Sequence, residues 1–417
     1  MYQPEPIQAH ALPAALRRRG WPWRSVAPNV WFLGATSLLT DLSSEMVASV
    51  LPLYLVVQLG FSPLAFGALD GLYNGIGALT RMVSGVAVDR WRQPKALASV
   101  GYAVSALCRL GLLAAGRWWP GVAAAIAIDR LGKGVRTVPR DALIAQSTAP
   151  EQLGYAFGVH RALDACGAML GPVAAFALLT MVPQGFDVVF VASFFAAVLG
   201  LGVLLLFVEN LAPPAPAVPT PESRVASPLR APAFRRAVVA STLLAVATIS
   251  DAFVYLVLLE RLGIAVGAFP LLYVGTSLSY LALAVPAGAL ADQLGRWRVF
   301  LLGYASLLAV YVVLLSAAGG PLAAVVAVVL LGAYYAGTDG VVAAYASGVL
   351  PPERRGTGLA YLTTSTGLAR LVASVIFGWV WLAAGRERAV AVFAVALAIA
   401  IASTALVLAR PADEARE

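Results

Sequence analysis

Apolar runs long enough to cross a bilayer recur along this chain from one end to the other. A membrane-spanning helix needs about 20 predominantly apolar residues. Runs of this kind lie near 29–58, 63–87, 97–116, 120–143, 155–181, 187–208, 237–259, 265–291, 297–317, 321–346, 356–383 and 388–409. Such a pattern excludes a water-soluble fold: 60% of residues are apolar and 12% charged, against roughly 25% charged in soluble domains. Spanning strands would alternate over about ten residues, whereas the unbroken Ala/Leu/Val stretches here, 389–402 for instance, fit helices. The chain therefore reads as an all-α, polytopic membrane protein with twelve transmembrane helices.

The net charge of +8 raises nucleic acid as a partner, but its distribution argues for topology. Arg17, Arg18, Arg19 and Arg24 precede the first run, Arg90, Arg92 and Lys95 follow the second, and Arg224, Arg230, Arg235 and Arg236 separate the sixth from the seventh. Arg296, Arg298, Arg354, Arg355 and Arg410 fall on the same side. By the positive-inside rule that side is cytoplasmic, which places both termini in the cytoplasm and the protein in the plasma (inner) membrane. No nucleic-acid partner is expected. Residues 1–28 carry no short apolar stretch with a small-residue cleavage site, so they read as a cytoplasmic segment and not a removable signal. Cys108 and Cys166 both fall in spans and read as small apolar filler, with no disulfide, metal or cofactor. A monomer embedded in lipid is expected.

The runs divide six and six. Segment 212–233 is rich in proline and polar residues, which suits an extended linker. The expected domains are a bundle at 29–209, a cytoplasmic linker at 210–236, a second bundle at 237–410 and a cytoplasmic tail at 411–417. The halves echo each other. Gly85-x-x-x-Asp89 recurs 203 residues later as Gly288-x-x-x-Asp292, and Glu151 is matched by Glu353 at a spacing of 202. Thr40-Asp41 is matched by Ser250-Asp251. A shift by six spans preserves orientation, so the repeats are parallel, related by an axis along the membrane normal.

Charges inside the spans mark the functional interior. Placing one carboxylate near the bilayer centre costs roughly 2.5–3.5 kcal/mol on insertion scales. Asp41 and Glu45 stand four residues apart in the first span, on one helical face. In the fourth span Asp129, Lys133, Arg136 and Arg140 share a face, with Arg130 and Asp141 on the adjacent one. At 1.5 Å per residue from Gly121, Arg130 lies roughly 14 Å deep. Asp251 and Asp339 occupy the seventh and tenth spans, and Arg370 the eleventh. Arg81 and Arg109 are expected to pair with interior carboxylates. His160 and Asp164, with Arg161 beside them, read as a structural network near the cytoplasmic end. One of Asp41 and Glu45 is expected to carry a proton, with Arg130 as the modulating charge. Each proton entering gains about 2.3 kcal/mol per 100 mV of membrane potential.

Several motifs resemble those of the major facilitator superfamily, over nearly the whole chain. The family's loop motif after helix two, G-x-x-x-D-R-x-G-R-R, is approximated by Gly85, Asp89 and Arg90, with Arg92 standing where the second glycine belongs. The later copy keeps Gly288, Asp292, Gly295 and Arg296. The resemblance implies a conformational latch at both sites. Arg130 and Gly134 match the helix-four motif R-x-x-q-G, implicated in proton coupling, with Lys133 in place of glutamine. Gly158, Gly167, Gly171 and Pro172 match the first part of a helix-five motif associated with antiporters, while Ala175 and Phe176 replace its terminal glycine pair. In the family, helices one, four, seven and ten line the cavity, which carries Asp41, Glu45, Arg130, Lys133, Asp251 and Asp339 toward a transport route. The resemblance implies alternating access by a proton-coupled antiporter exporting small organic molecules. An uptake symporter is the alternative, and a non-transporting sensor a weaker one. An enzyme is not expected: no Ser-His-Asp order, HExxH or P-loop is present.

Overall fold

The apolar runs form helices in a computed structural model, which describes residues 26–91, 93–149, 152–210, 228–263, 265–316, 320–351 and 354–409. The side chains of 78–79, 81–91, 262, 347 and 407–409 also lie outside the description, as does most of the linker. Among the described residues the first half comprises α1 (Pro28–Leu53, extended by a π-helical turn, Tyr54–Gln58), α2 (Pro63–Trp91), α3 (Pro94–Ala115), α4 (Trp119–Gln146), α5 (Leu153–Met181) and α6 (Phe186–Phe207). The second comprises α7 (Pro232–Val246), α8 (Asp251–Leu262), α9 (Pro270–Leu294), α10 (Arg296–Leu315), α11 (Pro321–Val349), α12 (Arg355–Ala384) and α13 (Arg386–Ala409). Proline opens many of these helices, where its missing N–H costs nothing.

Among the described residues ten helical stretches are long and apolar enough to cross a membrane. The two remaining spans, α2 and α4, are 29 and 28 residues long but are broken by polar side chains, Asp70, Tyr73 and Asn74 in α2 and six charged residues between 129 and 141 in α4. They sit inside the bundle instead, α4 against α2 and α3, and α2 against α12. Side chains such as Leu206, Val285 and Leu322 stand outward, more than two-thirds exposed, as a lipid-facing belt requires.

The seventh span expected at 237–259 is present as one crossing, Pro232–Arg261, built from two helices. The break at Ala247–Ser250 leaves backbone groups without helical partners. The Tyr311 hydroxyl on α10 accepts the Ile249 N–H at 2.6 Å and contacts the Ala247 carbonyl at 3.4 Å. Ser250 caps α8 through the Phe253 N–H at 3.5 Å. Irregular backbone is tolerated at membrane depth only where protein or a cavity receives it, and both conditions hold here. With the seventh span counted once, there are twelve crossings, so both ends of the helical chain and the linker lie at the same end of the bundle.

At the other end the halves meet. Glycines of α2 and α12 bring the backbones together: a Cβ on Gly71 would stand 2.8 Å from the Leu371 carbonyl oxygen, and Gly67 and Gly378 face the carbonyls of Ser374 and Pro63 more closely still. An aromatic cluster backs this seam. Phe253 of α8 packs edge-on against Phe66 and Phe377, with ring centroids 4.8 and 4.7 Å apart, and against Trp381 at 5.6 Å.

Candidate functional site

Glycines set the distance between α1 and α5. A Cβ on Gly171 would lie 2.7 Å from the Leu42 carbonyl and 2.8 Å from Glu45 Cβ, and Gly167 abuts the Leu38 backbone. Pro172 is buried inside α5. Gly158, expected in the same motif, faces open space. This close approach brings Asp164 of α5 toward Asp41 of α1 and the basic face of α4.

That face carries two groups of charges. The deeper is a clamp on Asp129. Arg109 of α3 donates to Asp129 Oδ1 at 2.7 Å and to Ser44 of α1 at 3.0 Å. Arg130 takes Oδ2 through Nε at 3.0 Å and pairs with it again through Nη2, while its guanidinium lies 4.0 Å over the Tyr73 ring of α2. All three charged residues are buried, and the clamp joins α1, α2, α3 and α4. Replacing Asp129 with alanine leaves two buried arginines without an anion, which costs about 3–5 kcal/mol. The expected result is a large drop in melting temperature in detergent, or loss of folded protein.

Nearer the termini the charges are looser. Lys133 Nζ stands 3.8 Å from Asp41 and 4.0 Å from Glu45, and Arg136 stands 3.7 Å from Asp41. Arg140 pairs with Asp141 at 2.9 Å and reaches Asp164 at 3.8 Å, where Arg161 also approaches at 3.6 Å. The Lys133 side chain is 37% exposed and that of Glu45 30%, so water reaches this group although it lies midway along its helices.

Between the halves lies a cavity of about 280 Å³. Its walls come from α1 (Glu45, Ala48, Pro52), α2 (Phe66, Asp70, Tyr73, Asn74), the α7–α8 break (Thr248, Ile249, Ser250, Asp251), α9 (Tyr273), α11 (Tyr335) and α12 (Arg370, Ser374). Tyr335 donates to Asp251 at 2.6 Å, and Arg370 donates to the Tyr334 hydroxyl at 3.1 Å while acting electrostatically on Asp251 and Asp339. Ser374 donates to Asp70 at 2.5 Å, joining the halves across the seam.

Of the residues expected to line the route, Glu45 and Asp251 stand on this wall. Asp41 and Lys133 lie beside Glu45. Arg130 lies in the Asp129 clamp, and Asp339 is exposed one turn below Tyr335. Arg109 pairs with an interior carboxylate as expected. Gly85, Asp89, Arg90 and Arg81 belong to the side chains outside the described residues. In the second copy of the loop motif Gly295 ends α9 at φ +93°, and Arg296 donates to the Ala344 carbonyl at 2.7 Å. Gly288 faces open space and Asp292 is exposed. Asp70 was not anticipated. A lone aspartate inside an apolar run, followed by Tyr73 and Asn74 on the same face, is the signal that could have found it.

Comparison with known proteins agrees with this architecture. Sequence patterns of the Major Facilitator Superfamily match residues 33–269 and 243–417. An uncharacterized MFS-type transporter of Methanocaldococcus jannaschii is 30% identical over 372 residues, covering 86% of this chain and 89% of that protein. An uncharacterized protein of Mycobacterium tuberculosis is 33% identical over 159 residues, 38% of this chain and 37% of that one. Among solved structures, the nucleoside transporter NupG superposes with a TM-score of 0.75 at 13% identity, covering 92% of this chain and 100% of that chain. A peptide transporter, POT, superposes with a TM-score of 0.75 at 15% identity, covering 94% and 95%. At these identities the structures speak for the fold alone. Twelve crossings in two parallel six-helix repeats, an interior cavity at their interface and a family match spanning the chain together make this protein a multi-pass membrane transporter of the Major Facilitator Superfamily.

Proposed function

We propose that the protein is a proton-coupled antiporter that exports small organic molecules by alternating access across the plasma (inner) membrane, with its termini in the cytoplasm. The observation that carries this reading is the Asp41–Lys133–Glu45 group at the cavity edge. Two carboxylates share one ammonium at the long limit of ion pairing. A carboxylate withdrawn from water takes either a cation or a proton, so Lys133 and a proton are alternatives for one position. Asp41 has its charge answered twice, by Lys133 and Arg136. Glu45 is answered once and also lines the cavity. We assign Glu45 as the proton carrier and Asp41 as the anchor that keeps Lys133 in reach.

The sealed seam at the end away from the termini supports a cytoplasm-facing state of such a cycle, and the exposure of Lys133 and Asp339 fits solvent entry from the terminal side. The glycines of α5 favour antiport through the helix-five resemblance. The test is flux in proteoliposomes under an imposed pH gradient, with a broad panel of compounds. Uphill movement of a compound against the proton flow supports the proposal. Movement with the proton flow replaces it by uptake symport, and gradient-insensitive flux removes the coupling.

A further inference from the structure

The charges around the cavity divide in a way that points to a substrate class. Glu45 has Lys133, and Asp251 has the field of Arg370, the hydroxyl of Tyr335 and the N-terminal end of α8. Asp70 has only hydroxyls: Ser374 at 2.5 Å, and Ser250 within reach. Among the described residues it forms no ion pair. The cavity thus holds one carboxylate whose charge no cation among the described residues answers. It sits half-buried on α2 between Gly67 and Gly71, at the seam where the two halves touch.

The rest of the wall fits the same chemistry. Phe66, Tyr73, Tyr273 and Tyr335 supply ring surface, and aromatic faces attract cations. Pro52 has no N–H to give the Ala48 carbonyl, and both residues line the cavity, which leaves a further acceptor without its helical donor. At about 280 Å³ the space falls just below the usual range of ligand pockets, roughly 300–1,000 Å³. A compact molecule fits, and an oligopeptide does not.

We infer that the transported substrate is a small monovalent organic cation, an ammonium carrying an aromatic or apolar body, whose charged nitrogen binds Asp70. This rests on the transport reading above and narrows it. The site is shared between the halves, since Asp70 belongs to the first and Ser374 and Asp251 to the second, so an occupant at Asp70 touches the seam that must part.

The test is calorimetric titration of the full chain in nanodiscs, against empty nanodiscs, with two benzyl compounds of matched shape and opposite charge. Benzyltrimethylammonium is expected to bind at least about tenfold more tightly than phenylmethanesulfonate, the scale of one charge-assisted contact. Asp70→Asn is expected to lose that preference, Asp70→Glu to regain part of it, and Glu260→Gln, in the exposed pair with Arg386, to leave it unchanged. Sulfonate binding as tight as ammonium binding, no ammonium binding, or ammonium binding indifferent to Asp70→Asn in monodisperse protein would each overturn the inference. The two readings fail separately. Gradient-driven flux confined to anions sinks the cation assignment and spares coupling, whereas Asp70-dependent ammonium binding without driven flux does the reverse.

Discussion

Glu45→Gln is expected to abolish uphill transport while leaving downhill exchange in place. A gradient of two pH units is worth about 2.7 kcal/mol per proton, which at one proton per substrate sustains a roughly hundredfold concentration ratio. In the variant that ratio should collapse to near one, because glutamine matches the shape of glutamic acid but neither takes up a proton nor gives one up when Lys133, 4.0 Å away in the native protein, takes its place. Counterflow of labelled against unlabelled substrate needs no proton and should continue. Asp41→Asn should weaken coupling by a different route: Lys133 then loses the nearer of its two anions, at 3.8 Å, and settles on Glu45. The measurement is the steady-state ratio in proteoliposomes beside the exchange rate. If both variants keep the full ratio, neither carboxylate carries the proton.

The second large effect belongs to the seam. Gly67→Leu or Gly71→Leu places a side chain where the carbonyls of Ser374 and Leu371 already stand, and backbone atoms cannot swing aside. Overpacking costs about 1–3 kcal/mol, enough to shift the closed population by on the order of ten- to a hundredfold. The bundle should then rest with its far end open. A cysteine at Ala48, on the cavity wall, should react with a membrane-impermeant thiol reagent added on the side away from the termini, and turnover should fall with it. The native exposed Cys166 and buried Cys108 are replaced by serine in the parent. Unchanged labelling and turnover would show that the seam does not part during the cycle.

Much of this architecture was legible because lipid imposes a simple rule. Length and apolarity mark each crossing, and a charge within a crossing must find protein or water. Asp41, Glu45 and the basic face of α4 stood out on those grounds, and the glycines of α5 carried their packing role in their spacing. Asp70 did not stand out, because a single carboxylate looks the same whether an arginine meets it or nothing does; its partners Ser374 and Ser250 lie 304 and 180 residues away. The break at Ala247–Ser250 was equally hidden. That stretch contains neither glycine nor proline, and what makes it tolerable is a hydroxyl on Tyr311, more than 60 residues onward. Local propensity cannot announce a rupture that a distant side chain repairs.

That repaired rupture divides labour between two halves of common design. The first half is cross-braced by buried charge from α1 to α4. The second carries an interrupted crossing, α7 followed by the twelve-residue α8, joined through the Tyr311 hydroxyl and the Ser250 cap. The exposed peptide groups of the break are thereby held on the cavity wall, where Thr248, Ile249 and Ser250 stand, and away from lipid.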